Sequence, residues 1–233
     1  MSLPTYNGHR DSYVDDLDAA VRFSGKDHKF FTRRKADELL ELAERHVAPA
    51  RTLNVVDVGC GIGLTDTFLA GRFASLTGVD VAPGVLERAS ARNPDAHYEL
   101  YDGERLPLGD ETFDVTFCAG VVQVLPPERR SGFLNELRRV TGGRGIVVVF
   151  EHNPYNPLTR LAVRRFSLGH EAHMLPAGQL VDLAERAGLA VLKRAYILLL
   201  PSESRVARKV ERRVERLPLG AQYVVVARPA ARA

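Results

Sequence analysis

A run of alternating glycines and three carboxylates stand out as groups able to hold a ligand. In Val55-Val56-Asp57-Val58-Gly59-Cys60-Gly61-Ile62-Gly63 an apolar, β-branched run leads straight into glycine at every second position. Such glycines clear side chains from a sharp turn and let a ligand come close to the main chain. Dinucleotide-binding turns use G-x-G-x-x-G, with a pyrophosphate on the helix that follows. Here the spacing is G-x-G-x-G, and Leu64 stands where the third dinucleotide glycine belongs. Asp57 adds an anion beside the turn, which repels a pyrophosphate but suits an ammonium or a sulfonium. A turn needed only for packing is the lesser reading.

The second carboxylate, Asp80, ends the run Leu76-Thr77-Gly78-Val79-Asp80. A carboxylate at a strand tip can accept both hydroxyls of a ribose, a feature shared with NAD enzymes. The third lies in Tyr101-Asp102-Gly103, where Asp102 either accepts from an exocyclic amine or forms an Asx turn leaving the strand. Phe113 to Gly120 is a further strand whose end, at Cys118 and Ala119, should line the ligand through backbone carbonyls. Gln123 follows, either reaching the ligand or lying on a helix surface.

An acceptor for this chemistry is expected near Glu151-His152-Asn153-Pro154-Tyr155-Asn156-Pro157. The two prolines keep a helix from starting early and hold His152, Asn153, Tyr155 and Asn156 extended. His152 is the first choice for a general base, because imidazole titrates near neutral pH. The competing reading has it hydrogen-bond the loop. His170 and His173 are weaker candidates. Near the N-terminus, Phe23-Ser24-Gly25 followed by His28, Phe30 and Phe31 could close over a ligand as a lid or simply pack a helix. His28 and Phe31 are the contact candidates there. No metal is expected, since there is no Cys-x-x-Cys or His-Glu-x-x-His and neither Cys60 nor Cys118 has a histidine at ligand spacing.

These residues need elements to position them. From Leu53 onward, strand-like runs alternate with helical patterns, the mark of a parallel sheet covered on both faces. Strands are expected at 53–58, 75–80, 96–101, 113–119 and 145–150, with a helix running from the glycine turn to about Arg72. Helices at 84–92, 127–140 and 177–187 complete the alternation. Two late β-rich runs, 190–200 and 221–227, leave no room for a crossover and suggest an antiparallel pair. Residues 1–50 read as a separate helical block capping a main domain over 51–233, with helices at 13–23 and 32–47.

The chain has 233 residues, 45% hydrophobic and 26% charged, with a net charge of +3. Only five of the 32 cations are lysine (26, 29, 35, 193 and 209), and the arginines are scattered apart from a group between Arg205 and Arg216. The segment 202–216 reads foremost as a solvated helix with i,i+4 pairs involving Glu211 and Glu215, and secondarily as a docking surface for an anionic partner or membrane. No nucleic-acid stripe is expected. With two cysteines, no signal-like N-terminus and no long apolar run, a cytoplasmic protein without an integral membrane segment is expected.

The run VVDVGCGIG…GVD…YDGERLP…FDVTFCAGVVQVLPP resembles the class I S-adenosylmethionine-dependent methyltransferases in motif order, spacing and residue type over roughly residues 53–151. That resemblance implies a doubly wound α/β fold with a seven-stranded sheet of order 3-2-1-4-5-7-6, strand seven antiparallel. It implies S-adenosyl-L-methionine as cofactor. Asp57, Gly59 and Gly61 would cradle the methionine portion, Asp80 the ribose and Asp102 the adenine amine. Their neighbours Cys60, Val81 and Gly103 complete the expected cofactor set with Cys118, Ala119 and Gln123. Many relatives carry His near Gln123, so this chain departs from the pattern there. The stretches 150–160 and 217–223 look like a bacterial subgroup associated with polysaccharide, glycosylation or secondary-metabolite pathways. The leading expectation is O- or N-methylation of a small molecule or glycosylated metabolite by direct in-line displacement. An NAD(P)-dependent oxidoreductase and a non-catalytic binding module on the same fold are the alternatives.

Overall fold

The computed structural model describes residues 13–165, 173–202 and 204–230. His170 lies outside them. Seven strands form one sheet: β1 Asn54–Val58, β2 Ser75–Asp80, β3 His97–Leu100, β4 Phe113–Ala119, β5 Thr141–His152, β6 Leu189–Ile197 and β7 Gln222–Pro229. Their order is 3-2-1-4-5-7-6. The first five pair in parallel, while β7 runs antiparallel to both neighbours. The fold is the one expected.

Helices α1 Tyr13–Val21, α2 His28–His46, α3 Asp66–Leu69, α4 Pro83–Arg92, α5 Pro127–Val140, α6 Pro157–Arg165, α7 Ala177–Arg186 and α8 Arg205–Val214 surround the sheet. Because side chains alternate along a strand, each strand feeds two cores. Val56, Val58, Val147 and Val149 pack with Leu134 and Leu137 of α5 and Leu180 of α7. Val55, Phe117, Val148 and Val224 pack on the other face with Leu39, Leu42 and Ala43 of α2 and Leu69 of α3.

Two expectations change here. The helix after the glycine turn is a single turn, α3, and not a helix reaching Arg72. Gly59, Gly61, Gly63 and Gly71 all have positive φ, which breaks helical propagation on both sides of it. Nor does α2, within the expected N-terminal cap, stand clear of the sheet. Leu39, Leu42 and Ala43 of α2 are fully buried in the sheet's own core, so α2 is one of its covering helices. Helix α1 packs Tyr13 and Val14 against Ile62, Ala82 and Val85 beside the glycine turn.

The segment 202–216 does fold as a helix over its centre, but its ion pairs go elsewhere than expected. Glu211 pairs with Arg34 of α2 at 2.6 Å and Glu215 with Lys193 of β6 at 3.0 Å. Arg208 reaches Asp37 at 2.5 Å, and Arg212 reaches Glu41. These pairs strap α8 and the residue that follows it onto α2 and β6 instead of lacing α8 internally.

Candidate functional site

The carboxyl ends of β1, β2, β4 and β5 meet above the sheet, and the candidate site is built there. Gly59 and Cys60 both donate to Val79 O, at 2.8 and 3.1 Å, which folds the turn back over β2. A Cβ at Gly59 would lie 2.5 Å from Val121 Cγ2, and one at Gly63 2.5 Å from Asn93 Nδ2. At Gly61 a Cβ would meet nothing within 4 Å, so the turn's middle residue faces open space. That is where a ligand can approach bare backbone.

Asp80 clamps this turn. Its Oδ2 accepts from Gly61 N at 2.9 Å and its Oδ1 from Ala82 N at 3.1 Å. Each oxygen keeps a further lone pair, enough for two hydroxyls. Burial raises its pKa while the backbone donors pull it down. Val81 follows it, half-buried. Asp57 is buried, and burial together with the adjacent Asp66 pushes its pKa well up. Asp66 in turn accepts from Tyr98 Oη at 2.8 Å. A cationic ligand would bring compensating charge to these two buried acids.

Three residues that sequence reasoning did not single out belong to this centre. Asp66 is one. Lys35, on α2, lies close enough to Asp57 and Glu151 for their charges to oppose the lowering of its pKa by burial. Its signal was a charge inside the apolar stripe Phe31-Lys35-Leu39. Glu151, at the tip of β5, is 1% exposed, and its Oε1 accepts from Val122 N at 2.7 Å and Gln123 N at 3.3 Å. Burial raises its pKa to about 8. Its Oε2 is buried with no partner among the described residues. Its signal was the one that singled out Asp80: an acid closing an apolar strand.

Gln123 and His152 are brought together, with Gln123 Nε2 2.8 Å from His152 Nδ1. Burial and the nearby Lys35 lower the His152 pKa to about 4. The expectation of an imidazole titrating near neutrality is therefore corrected: it stays uncharged. Ala119 sits half-buried at the end of β4, but the Cys118 side chain is fully buried in the core, leaving only its backbone at the strand end. Burial also raises both thiols' pKa. The Asp102 Oδ1 accepts from Glu104 N at 2.7 Å and Arg105 N at 2.9 Å, so the Asx turn is real and its second oxygen is the one left over. Gly103, with φ of 84°, completes that turn.

The expected acceptor contacts are mostly spent on the fold. Asn153 is fully buried, its Nδ2 donating to Pro218 O and Gly220 O and its Oδ1 accepting from Tyr155 N. Asn156 accepts from Leu158 N and Thr159 N, capping α6, and donates to Leu219 O. His28 bonds Asp18 through both its backbone N and its Nδ1, bolting α1 to α2. Phe31 packs edge-on against Phe30 at 5.2 Å, beside the α2 core. Tyr155 is 61% exposed. His173, exposed, donates its backbone N to Gln123 O. A cavity of about 450 Å³ lined by Arg138, Arg139, Thr141 and Arg228 lies at the opposite, amino end of β5.

Comparison with known proteins finds a family match over the middle of the chain. Residues 56–149 match the family described as methyltransferase domain. Malonyl-[acyl-carrier protein] O-methyltransferase of Serratia marcescens is 34% identical over 50% of this chain and 43% of its own length. Chloroplastic tocopherol O-methyltransferase of Arabidopsis thaliana is 31% identical over 67% of this chain and 44% of its own. The chain thus spans less than half of either relative. A TehB-like SAM-dependent methyltransferase from Corynebacterium glutamicum superposes with a TM-score of 0.63 at 20% identity, covering 95% of this chain and 98% of that one. The stretch 56–149 is a methyltransferase domain on the class I fold, and S-adenosyl-L-methionine is its cofactor.

Proposed function

We propose that the protein transfers a methyl group from S-adenosyl-L-methionine to a hydroxyl or amine of a small molecule or glycosylated metabolite. The observation that carries this reading is the bare backbone at Gly61 between two acids, Asp57 below and Asp80 beside it. When bound, the cofactor supplies a methyl group already activated on a cationic sulfur. Asp57 would balance the ammonium of the methionine portion, and Lys35 its carboxylate. Asp80 would accept the ribose hydroxyls, and the spare oxygen of Asp102 the adenine amine. Cys60, Val81 and Gly103 would shape the walls through backbone. Helix α1 would close over the donor side, where it already touches Ile62 and Val85.

On the acceptor side, His152 would take the proton. A hydroxyl oxygen that gains a methyl group becomes strongly acidic as positive charge develops on it, so for a hydroxyl acceptor even an imidazole with a pKa of about 4 suffices. The Gln123 Oε1 would accept from the ring's Nδ1–H, at 3.1 Å, which holds the ring in place and leaves Nε2 free to take the proton. The larger part of the rate would come from alignment of donor and acceptor. The setting in a bacterial polysaccharide or secondary-metabolite pathway, acting in the cytoplasm on a small molecule and not on nucleic acid, is part of the same proposal. It draws on the stretches 150–160 and 217–223 and on the scattered arginines.

A screen of radiolabelled methyl transfer onto hydroxyl- and amine-bearing metabolites tests the activity. Cofactor affinity without turnover on any acceptor would favour the non-catalytic module. Stabilisation by NAD(P) and not by S-adenosylhomocysteine would restore the oxidoreductase. Asp80→Asn should weaken S-adenosylhomocysteine binding by about 1–3 kcal/mol in calorimetry. Unchanged affinity would remove the ribose assignment.

A further inference from the structure

Helix α8 turns its acids inward and a set of cations outward. Glu211 is held by Arg34 and by Leu199 N, and Glu215 by Lys193. Arg208 and Arg212 are spent on Asp37 and Glu41 of α2. Lys209, Arg213 and Arg216 are exposed, with no ion pair to any acid among the described residues. Among them Val206 is 72% exposed and Val210 44%, and Leu217 and Leu219 follow at 51% and 50%. Positions 206, 210 and 213 fall on one face of α8, and Leu217 lies in the turn beyond its end.

Helix α6 repeats the arrangement. Leu158 and Leu161 are exposed beside Arg160, Arg164 and Arg165, and the helix contains no acid. The two elements are physically joined. Asn153 donates to Pro218 O and Gly220 O, Asn156 to Leu219 O, and Thr159 Oγ1 to Ala221 O. Apolar and basic side chains therefore follow one another from α6, through 217–219, onto α8. This margin begins at the loop that carries His152.

A helix that is merely solvated has no use for aliphatic side chains between its outward cations, and it would set acids among them. Aliphatic residues interspersed with arginine and lysine are what an anionic lipid surface selects: cations meet the headgroups while the aliphatic tips reach the acyl boundary. Exposed Tyr155 is a residue type that settles at this boundary. We propose that the face formed by α6, 217–219 and α8 docks on an anionic phospholipid surface and so presents the site to an acceptor held in the bilayer. The docking stands by itself; the nature of the acceptor rests on the methyl-transfer reading.

The test is co-sedimentation of the full chain with vesicles of equal parts phosphatidylglycerol and phosphatidylcholine, against phosphatidylcholine alone. Binding to the anionic vesicles only, weakening as salt rises, is the expected result. Each cation near the surface contributes roughly fivefold, so Lys209→Glu with Arg213→Glu should lower affinity by about 25-fold or more. Leu158→Ser with Leu161→Ser should lower it as well. Arg51→Glu with Arg72→Glu, exposed positions away from this face, should leave it intact. Thermal stabilisation by S-adenosylhomocysteine in every variant shows that the fold is kept. Absence of vesicle binding at low salt overturns the proposal, and so does equal loss in the Arg51 and Arg72 control. Saturable binding to an acidic carrier protein, without binding to vesicles, would also overturn it. Vesicle binding by a protein that never transfers a methyl group would support the docking and overturn the catalytic reading, so the two failures are distinguishable.

Discussion

The donor side and the acceptor side of the site are built from the same kinds of residue, yet they use them differently. Around β1 and β2 the polar groups retain capacity. Asp80 accepts two backbone donors and still has lone pairs to offer, and Gly61 presents bare main chain. In the loop after β5, Asn153 and Asn156 have almost nothing left, because the stretch entering β7 presents carbonyls at 218, 219 and 220 that these amides satisfy. An unpaired buried carbonyl costs about 1–3 kcal/mol, so nearby amides are claimed for the fold first. A polar side chain in a loop is available for function only after the backbone around it has been satisfied.

The contrast is sharpest where a change should harm the fold without touching the donor pocket. Leu39→Ala in α2 should cost about 2–5 kcal/mol in denaturant unfolding, since the side chain is fully buried in the sheet's core. A loss below about 1 kcal/mol would restore α2 to the role of detachable lid. Gly59→Ala should follow at about 3 kcal/mol, combining a left-handed backbone with the clash against Val121. Gly61→Ala meets no such clash and should cost only the left-handed term, about 1–2 kcal/mol, while still weakening cofactor binding. Equal stability losses at the two glycines would mean that the open space at Gly61 is not there.

Asn153→Ala should destabilise by about 1–3 kcal/mol and leave S-adenosylhomocysteine affinity unchanged. Affinity that falls with it would merge the two sides into one unit. The subtlest effect concerns pH. Glu151 has its pKa raised by burial from 4.5 to about 8, so between those values the folded chain keeps a proton that the unfolded chain has released. Its contribution to stability therefore declines as pH climbs through that window. Glu151→Gln should flatten that decline, read as denaturation midpoints at pH 5, 7 and 9. An unchanged slope would show that this acid is ionised in the folded protein.

The sequence carried the donor half well because glycine spacing and acids at strand tips are backbone-scale signals. The turn and the positions of Asp57 and Asp80 follow from them, and the strand order from the family resemblance. Lys35 and Glu151 were not singled out for a different reason. Their significance comes from α2 and the end of β4 being brought against the same pocket, and only tertiary packing creates that proximity. The partners of Asn153 and Asn156 are hidden from the sequence in the same way, since residues 218–220 are distant along the chain. Charges on α8 looked like a self-contained pattern, but their partners were on α2.

One feature of the topology bears on how the chain comes to be folded at all. Strand β7 lies between β5 and β6, though it is synthesised after both. Until residues 222–229 leave the ribosome, β5 and β6 each display a bare edge, and β6 has no neighbour in the sheet. Such edges invite pairing with other nascent chains. Closure of the sheet is thus a late, long-range event, and a pause in translation just before Gln222 would lengthen the period of greatest risk.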